Sequence, residues 1–381
     1  MKSIFLESSP FEIGLLAVFA LSLLIQLFYY LFIYIRIGLY KTKQPEVSKS
    51  KLPPISVVIC ARNEELNLEA LLPSVLEQDY PEFEVIVVDD CSFDNTDIIL
   101  KKYKNQYKHL RSTIIKQDAK FSHGKKLALT IGIKAAKHEW LVLTDADCMP
   151  LSKNWLITLA SNFNGDTEII LGYSGYKPER GLLNRIIRFD TFYIGLNYLS
   201  FALWRKPYMG VGRNLAYRKE LFFKNRGFAS HGTLHSGDDD LFVHEVATKK
   251  NTTVEFGHDS QTLSNPRKTF SSWVLQKRRH LTTGPRYRTS IKIWLTLEPF
   301  SRLLFWISAI WMFVDNYYPI VIGSAVAFRL LTSGIILKIA MNRLCETKLF
   351  LISFIYDLFS PLLYFWLSIA NKFNTRQFRW N

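Results

Sequence analysis

The 381-residue chain has only four cysteines, Cys60, Cys91, Cys148 and Cys345, and no Cys-x-x-Cys spacing among them. Neither a zinc site nor a disulfide framework is indicated, and reduced thiols on a cytoplasmic face are expected. There is no G-x-G-x-x-G and no Walker sequence, so a dinucleotide oxidoreductase or an ATPase loses its main support. His231, His235, His244 and His258 have no ligand spacing and read as structural or surface residues. Basic residues do not cluster. The net charge of +15 is spread along the chain and flanks apolar segments, which points to an anionic membrane surface first and an anionic substrate second, not to nucleic acid.

What is abundant is apolar surface: 48% hydrophobic residues, 28 Phe and 9 Trp exceed what a soluble domain usually carries. Residues Ile13 to Ile35 form an uncharged run of bilayer-crossing length with no cleavage signature after it, so it is expected to remain as an anchor. Arg36, Lys41, Lys43, Lys49 and Lys51 follow this run, whereas Lys2, Glu7 and Glu12 precede it. The positive-inside rule then places residues 36 onward in the cytoplasm. Pro45, Pro53 and Pro54 mark a linker.

Three further apolar runs, Leu303 to Val314, Pro319 to Ile339 and Leu349 to Ala370, close the chain. Three crossings would put the basic tail (Lys372, Arg376, Arg379) outside, against the same rule. Either the short first run or the one interrupted by Arg329 is therefore expected to be interfacial or re-entrant, leaving two spans. Asp357 is expected to face protein.

Between these ends the pattern alternates. Ile55 to Cys60 reads as a strand, Ala61-Arg-Asn-Glu-Glu65 as a polar turn and Leu66 to Glu77 as a helix. Phe83 to Asp90 is again a strand running into acids, followed by a helix from Ile98 to Tyr107. After Ser122-His-Gly-Lys-Lys126 comes a helix, Leu127 to Ala136, and then the apolar run Trp140 to Thr144 that ends in Asp145 and Asp147. This is a doubly wound parallel α/β pattern, which binds ligands at the C-terminal edge of its sheet. Two carboxylates one residue apart at that edge can share a Mg2+ or Mn2+ ion that bridges to substrate phosphates; the plainer alternative is a solvated turn.

The second half is less regular. Leu182 to Trp204 suits an amphipathic helix lying in the membrane interface, with a buried core helix as the alternative. Met209-Gly-Val-Gly-Arg-Asn214 is polar and flexible enough to approach a sugar. Asp238, Asp239 and Asp240 open an apolar helix; crowded like charges favour a raised pKa and a proton acceptor, and an N-terminal cap is the competing role. Asn63 and Glu64 read equally as helix caps, Asp89 and Asp90 as a turn, and Lys125 as a surface lysine.

Taken together, Cys60-Ala-Arg-Asn-Glu-Glu65, Val-Asp-Asp-Cys-Ser-Phe-Asp-Asn-Thr at 88–96, Gly124-Lys125 and Asp145-Ala-Asp147 resemble the donor-binding half of a family 2 glycosyltransferase. The resemblance implies a GT-A nucleotide-diphospho-sugar transferase fold, a doubly wound mixed sheet, flanked here by N- and C-terminal transmembrane helices. It implies that Ala61, Arg62, Asn63, Glu64, Asp89 and Asp90 grip the nucleoside, that Lys125 lies near the diphosphate, and that Asp145 and Asp147 hold a divalent cation. The segment Ser236 to Phe242 resembles the family's Glu-Asp sequence, whose Asp is the base; Asp239 is the preferred match and Asp238 the alternative. Gln276-Lys-Arg-Arg-His280 resembles the Gln-x-x-Arg-Trp signature of membrane-associated members, which would bring Gln276, Arg279 and His280 to the acceptor and diphosphate region. His280 replaces the expected Trp and weakens the case for a processive synthase.

The expected organisation is an anchor (1–36), a linker (37–54), a cytoplasmic catalytic domain (55–295, split into donor half 55–150 and acceptor half 151–295) and a C-terminal transmembrane region (296–381). The expected activity is inverting transfer from a nucleotide-diphosphate sugar to a membrane-proximal lipid or glycan in cell-envelope synthesis, in a multi-pass protein of the inner or plasma membrane. A processive polysaccharide synthase and a non-catalytic scaffold or transporter are the alternatives.

Overall fold

The computed structural model describes residues 9–41, 52–116, 124–234 and 236–373. Lys2, Glu7, Lys43, Pro45, Lys49, Lys51, Ser122, His123, His235, Arg376 and Arg379 lie outside the described residues.

The N-terminal apolar run folds as one helix, α1 (Pro10–Leu39). Ser9 and Glu12 form a reciprocal capping box and Pro10 takes the first turn, satisfying the helix's orphan donors. Six residues, Tyr29–Tyr34, widen to a π-helix, and four of them are buried. The Tyr34 hydroxyl donates to Asn197 (3.0 Å), so the anchor is tied to the domain that follows.

That domain starts as strand and helix alternate: β1 (Ile55–Ala61), α2 (Glu65–Leu76), β2 (Phe83–Asp90), α3 (Thr96–Gln106), β3 (Leu110–Ile115), α4 (Lys125–Ala135) and β4 (Trp140–Asp145). Every residue of β1 is buried. Val58 and Cys60 pack in one core cluster and Ile55, Val57, Ile59 and Ala61 in another, so both faces of the strand are covered, as a parallel strand requires. The chain continues through β5 (Cys148–Pro150), α5 (Trp155–Ala160), β6 (Ile169–Gly172), β7 (Ser174–Tyr176) and α6 (Leu182–Leu203). It then forms β8 (Leu215–Arg218), α7 (Lys219–Lys224), α8 (Asp240–Val246), β9 (Thr252–Glu255), β10 (Thr262–Ser264) and α9 (Phe270–Leu281).

The main sheet has seven strands in the order β3-β2-β1-β4-β8-β6-β9. It is mixed, because β8 runs antiparallel to both β4 and β6 while the β1, β2, β3 and β4 neighbours are parallel. A second, smaller sheet has the order β5-β10-β7. The wholly parallel pattern read from the first half therefore stops at β4.

The α6 helix is a core helix, not a surface helix in the membrane interface: 14 of its 22 residues are buried. Two of its three interrupting charges are paired inside the protein, whereas Arg185 is exposed. Arg188 meets Glu346 at 2.6 Å, and Asp190 meets Lys277, Tyr356 and Tyr364. Charged residues in a helical pattern can thus mark buried pairs instead of a wet face.

Three long helices close the described chain: α10 (Thr289–Val314), α11 (Pro319–Arg343) and α12 (Phe350–Phe373). Together with α1 they make four helices long and apolar enough to cross a membrane. The first C-terminal run is not short, since α10 begins 14 residues before Leu303. Arg329 does not interrupt α11, because it is fully buried and meets Asp357 at 2.7 and 2.8 Å and Gln26 at 2.9 Å. Asp357 faces protein, as expected, and also accepts from Trp306 at 2.8 Å.

Removing one member of this buried pair leaves an uncompensated charge. Asp357→Leu is expected to cost about 3–5 kcal/mol of stability, and adding Arg329→Met to restore most of it. Thermal unfolding of the detergent-solubilised variants measures both; an unchanged midpoint in Asp357→Leu would show that the pair does not hold the helices.

The last helix stays against the α/β domain along its length. Tyr356 donates to Asp190 at 2.7 Å, and fifteen residues on Asn371 exchanges two hydrogen bonds with Arg278 of α9, both at 2.9 Å.

Candidate active site

Parallel register sets the first part of the site. Ala61 lies opposite Asp89 and Cys60 opposite Asp145, so the ends of β1, β2 and β4 bring the predicted donor residues to one edge. Two turns are knitted together there. Asn63 adopts a left-handed conformation (φ 53), its N–H donates to the Ser92 hydroxyl (2.9 Å), and its side-chain oxygen accepts from Phe93 N–H (2.8 Å). Asp89 accepts from the Ser92 N–H and hydroxyl, at 3.1 and 2.5 Å. Arg62 reaches Asp90 at 3.8 Å. Asn63 and Asp89 thus serve the turns, and Asp94 and Thr96 act as local caps, accepting from Glu65 and Glu64 N–H at 3.0 Å each.

One strand over, oxygen atoms of Asp145 and Asp147 and the Cys148 sulfur lie within 4.8 Å of one another. Burial, and next the Asp145 charge, raises the Asp147 carboxyl above the usual range, although Ser264 donates to it at 2.9 Å. Crowded carboxylates of this kind fit a hard divalent cation. The thiol does not: burial pushes Cys148 well above its ordinary pKa, so it stays neutral. Glu64 faces the same acids, and burial, with smaller contributions from Asp147 and Asp145, lifts it to about 7.

Lys125, at the start of α4, joins the two halves. Its ammonium lies 2.8 Å from Asp145 and 3.0 Å from Asp238. It is not a surface lysine.

The three acids separate into three environments. Burial would raise Asp238, but Lys125 outweighs it and holds the carboxyl low. Asp240 is a buried structural group, accepting from Thr283 (2.5 Å) and Tyr287 (2.8 Å). Asp239 is the N-cap of α8, accepting from Asp240 N–H (2.8 Å) and, with its other oxygen, from Gly212 N–H (2.7 Å). Burial first, then the Asp238 and Asp240 charges, push it up to about 7. The cap and the perturbed acid are therefore one residue. Gly237 (φ 98) makes the turn before them; a Cβ there would sit 2.7 Å from Leu241.

Asp145, Lys125, Asp238, Asp239, Gln276, Arg279 and His280 line one cavity of about 770 Å³. Ala61 to Glu64, Asp89, Asp90 and Asp147 are not on its wall but along the adjoining sheet edge. Gln276 donates to the Tyr176 hydroxyl at 3.2 Å, and the Arg213 guanidinium stacks 4.6 Å from the Tyr176 ring centre. Tyr176, Arg213 and Ser264 were not singled out from the sequence. Arg213 sits inside the Gly-Val-Gly-Arg-Asn stretch, but nothing local announces that it turns toward the acids.

Among the described residues the histidines do not gather. His231 pairs with Glu245 (3.1 Å), His258 with Asp259 (3.2 Å), and His244 faces the Tyr208 carbonyl (3.2 Å).

Residues 56–225 match the model described as glycosyl transferase family 2. A mannosyltransferase from Pyrobaculum calidifontis, solved in complex with GDP-Man and Mn2+, has the same GT-A fold: the TM-score is 0.58 at 18% identity, over 88% of this chain and 99% of that one. By sequence, the chain is 27% identical to the poly-beta-1,6-N-acetyl-D-glucosamine synthase of Staphylococcus aureus strain COL over 146 residues, 38% of this chain. It is 34% identical to the synthase of the same name from Staphylococcus epidermidis over 125 residues, 31% of this chain. The matches cover 34% and 27% of those relatives, about a third of their length.

Proposed function

We propose that the protein is a membrane-anchored, inverting glycosyltransferase that moves a sugar from a nucleotide-diphosphate donor to a hydroxyl of a membrane-proximal lipid or glycan. The observation that carries the reading is the Lys125 bridge, which holds a candidate metal acid and the candidate base cluster around one ammonium. Donor and acceptor chemistry then meet at a single point.

In this reading Ala61, Arg62, Asn63, Glu64, Asp89 and Asp90 position the nucleoside. Asp145 and Asp147 hold a Mg2+ or Mn2+ ion, which supplies charge neutralisation of the leaving diphosphate. Lys125 adds a fixed positive charge beside it, as does Arg279 on the cavity wall. His280 on the same wall is neutral, because desolvation and then the neighbouring cations hold its imidazole well below the ordinary value. Asp239 takes the acceptor proton as the acceptor oxygen bonds to the anomeric carbon and the bond to diphosphate breaks on the opposite face. Configuration inverts because there is one displacement. The test is product analysis: given labelled nucleotide sugars, Mn2+ and membranes, the full chain transfers sugar and releases nucleoside diphosphate. Release from none of a donor panel would contradict the reading.

A base must be ionised to work. With Asp239 lifted to about 7, transfer is expected to rise as pH increases through that value and to fall below it, where the carboxyl is protonated. The pH profile of kcat/KM with saturating Mn2+ reads this directly, and a profile flat across that region would remove Asp239 from the role.

For topology, we propose that α1, α10 and α11 cross the membrane, the catalytic domain is cytoplasmic, and α12 lies along the interface. Glu12 and Tyr317 interact at one end of the bundle, while Glu346, between α11 and α12, pairs with Arg188 of the catalytic domain at the other. Contacts of α12 with the domain at Tyr356 and Asn371 fit a helix that never leaves that side, which keeps the basic tail inside. An impermeant thiol reagent on intact cells is expected to label Asn316→Cys and to leave Lys108→Cys untouched. Labelling of Lys108→Cys would reverse the orientation.

A further inference from the structure

The cavity that holds Asp239 does not end at the catalytic domain. It continues between α10 and α12, where its wall is made by Leu295, Phe300 and Leu303 on one side and Pro361 and Phe365 on the other. Phe300 and Phe365 line the cavity and are also 55% and 66% exposed, so the space opens sideways through an apolar mouth. Both helices flanking that mouth have an internal proline on the cavity wall, Pro299 and Pro361.

The charges in this part of the wall are already matched. Arg302 pairs with Glu298 at 3.2 Å and Lys277 with Asp190, so an apolar chain beside them meets no uncompensated ion. Lys292, exposed on the same wall, is placed to meet an anionic headgroup. Glu298 and Arg302 of that α10 wall, together with Gln26 of α1, Arg329 of α11 and Asp357 of α12, form one linked network. These four helices are bridged behind the cavity, so its continuation is toward the bilayer and not across it.

We propose that the acceptor is a lipid: its hydroxyl-bearing head reaches Asp239 while its apolar chain lies between α10 and α12, entering laterally from the membrane. This rests on the transferase reading above and fixes the acceptor class that reading leaves open. A soluble glycan has no use for an apolar mouth, and a growing polymer threaded across the membrane would need the path that the helix network occupies.

The test uses the full chain with membranes of the native cell and a radiolabelled donor sugar, and follows label into a chloroform–methanol extract. Wild type is expected to place label in the organic phase. Leu303→Trp, which fills the groove, is expected to lose at least tenfold of it, while Val314→Trp, exposed at the far end of α10, transfers normally. Nucleoside diphosphate binding, measured in parallel, is expected to be the same in all three and reports on folding. Label confined to the aqueous phase, or full transfer by Leu303→Trp, overturns the lipid acceptor and leaves the transferase reading standing. Absence of donor binding and turnover in every fraction would instead take down the transferase reading, and this proposal with it.

Discussion

Asp239→Asn is expected to lose sugar transfer by at least about a hundredfold while nucleoside diphosphate affinity stays near wild type. The argument is local. Asp239 is the one acid of the cluster neither neutralised by an ion pair nor used up by hydroxyl donors, and its two backbone hydrogen bonds hold the carboxylate still. An Asn keeps the size and most of the cap but cannot take a proton. Asp240→Asn is expected to stay active, losing on the order of 1 kcal/mol of stability through weaker bonds to Thr283 and Tyr287. Asp238→Asn frees Lys125 from one of its two partners, so its defect should appear in donor binding as well as in turnover. A catalytic defect confined to Asp238→Asn, with Asp239→Asn normal, would move the base by one residue.

The second large effect is on the other side of Lys125. Asp147→Asn is expected to cut turnover by orders of magnitude and to leave the fold intact, and chelator is expected to do the same to wild type. Without a cation the donor diphosphate would approach Asp145 and Asp147 against their negative charge. Asp147 is half-buried beside Asp145; the Ser264 hydroxyl and, at 3.5 Å, the Cys148 thiol donate to it, and the Arg213 charge acts on it. Burial and the Asp145 charge outweigh them and leave its charge undercompensated by the protein alone. Titration with Mn2+ and Mg2+ after chelation measures the dependence, and full activity of Asp147→Asn in chelator would remove the metal from the mechanism.

The donor edge was the legible part of this chain. Strands ending in acids, with cap residues behind them, announce β1, β2 and β4 through local chemistry, and the bounds found differ from those read by a residue or two. The edge strand β3 was missed: Leu110–Ile115 is only partly buried and ends in no acid or turn residue, so neither periodicity nor punctuation marks it. The α6 helix was misread because sequence cannot distinguish a charge that faces water from one whose partner lies more than a hundred residues away, as Arg188 and Glu346 do. The same blindness applied to Arg329, whose partners Asp357 and Gln26 come from two other helices. Lys125 had the right neighbourhood from the resemblance, but that it spans Asp145 and Asp238 is a fact of tertiary packing alone. Nothing in the residue order joins Asp239 to a groove between α10 and α12.

The central claim is a single displacement in which Asp239 deprotonates the acceptor as the diphosphate leaves. Its most direct measurement is the anomeric configuration of the transferred sugar, read by NMR on product made from a donor of known configuration. The account predicts the opposite configuration in the product, with the reaction abolished in Asp239→Asn. A product of retained configuration, or a normal yield of inverted product from Asp239→Asn, would contradict it.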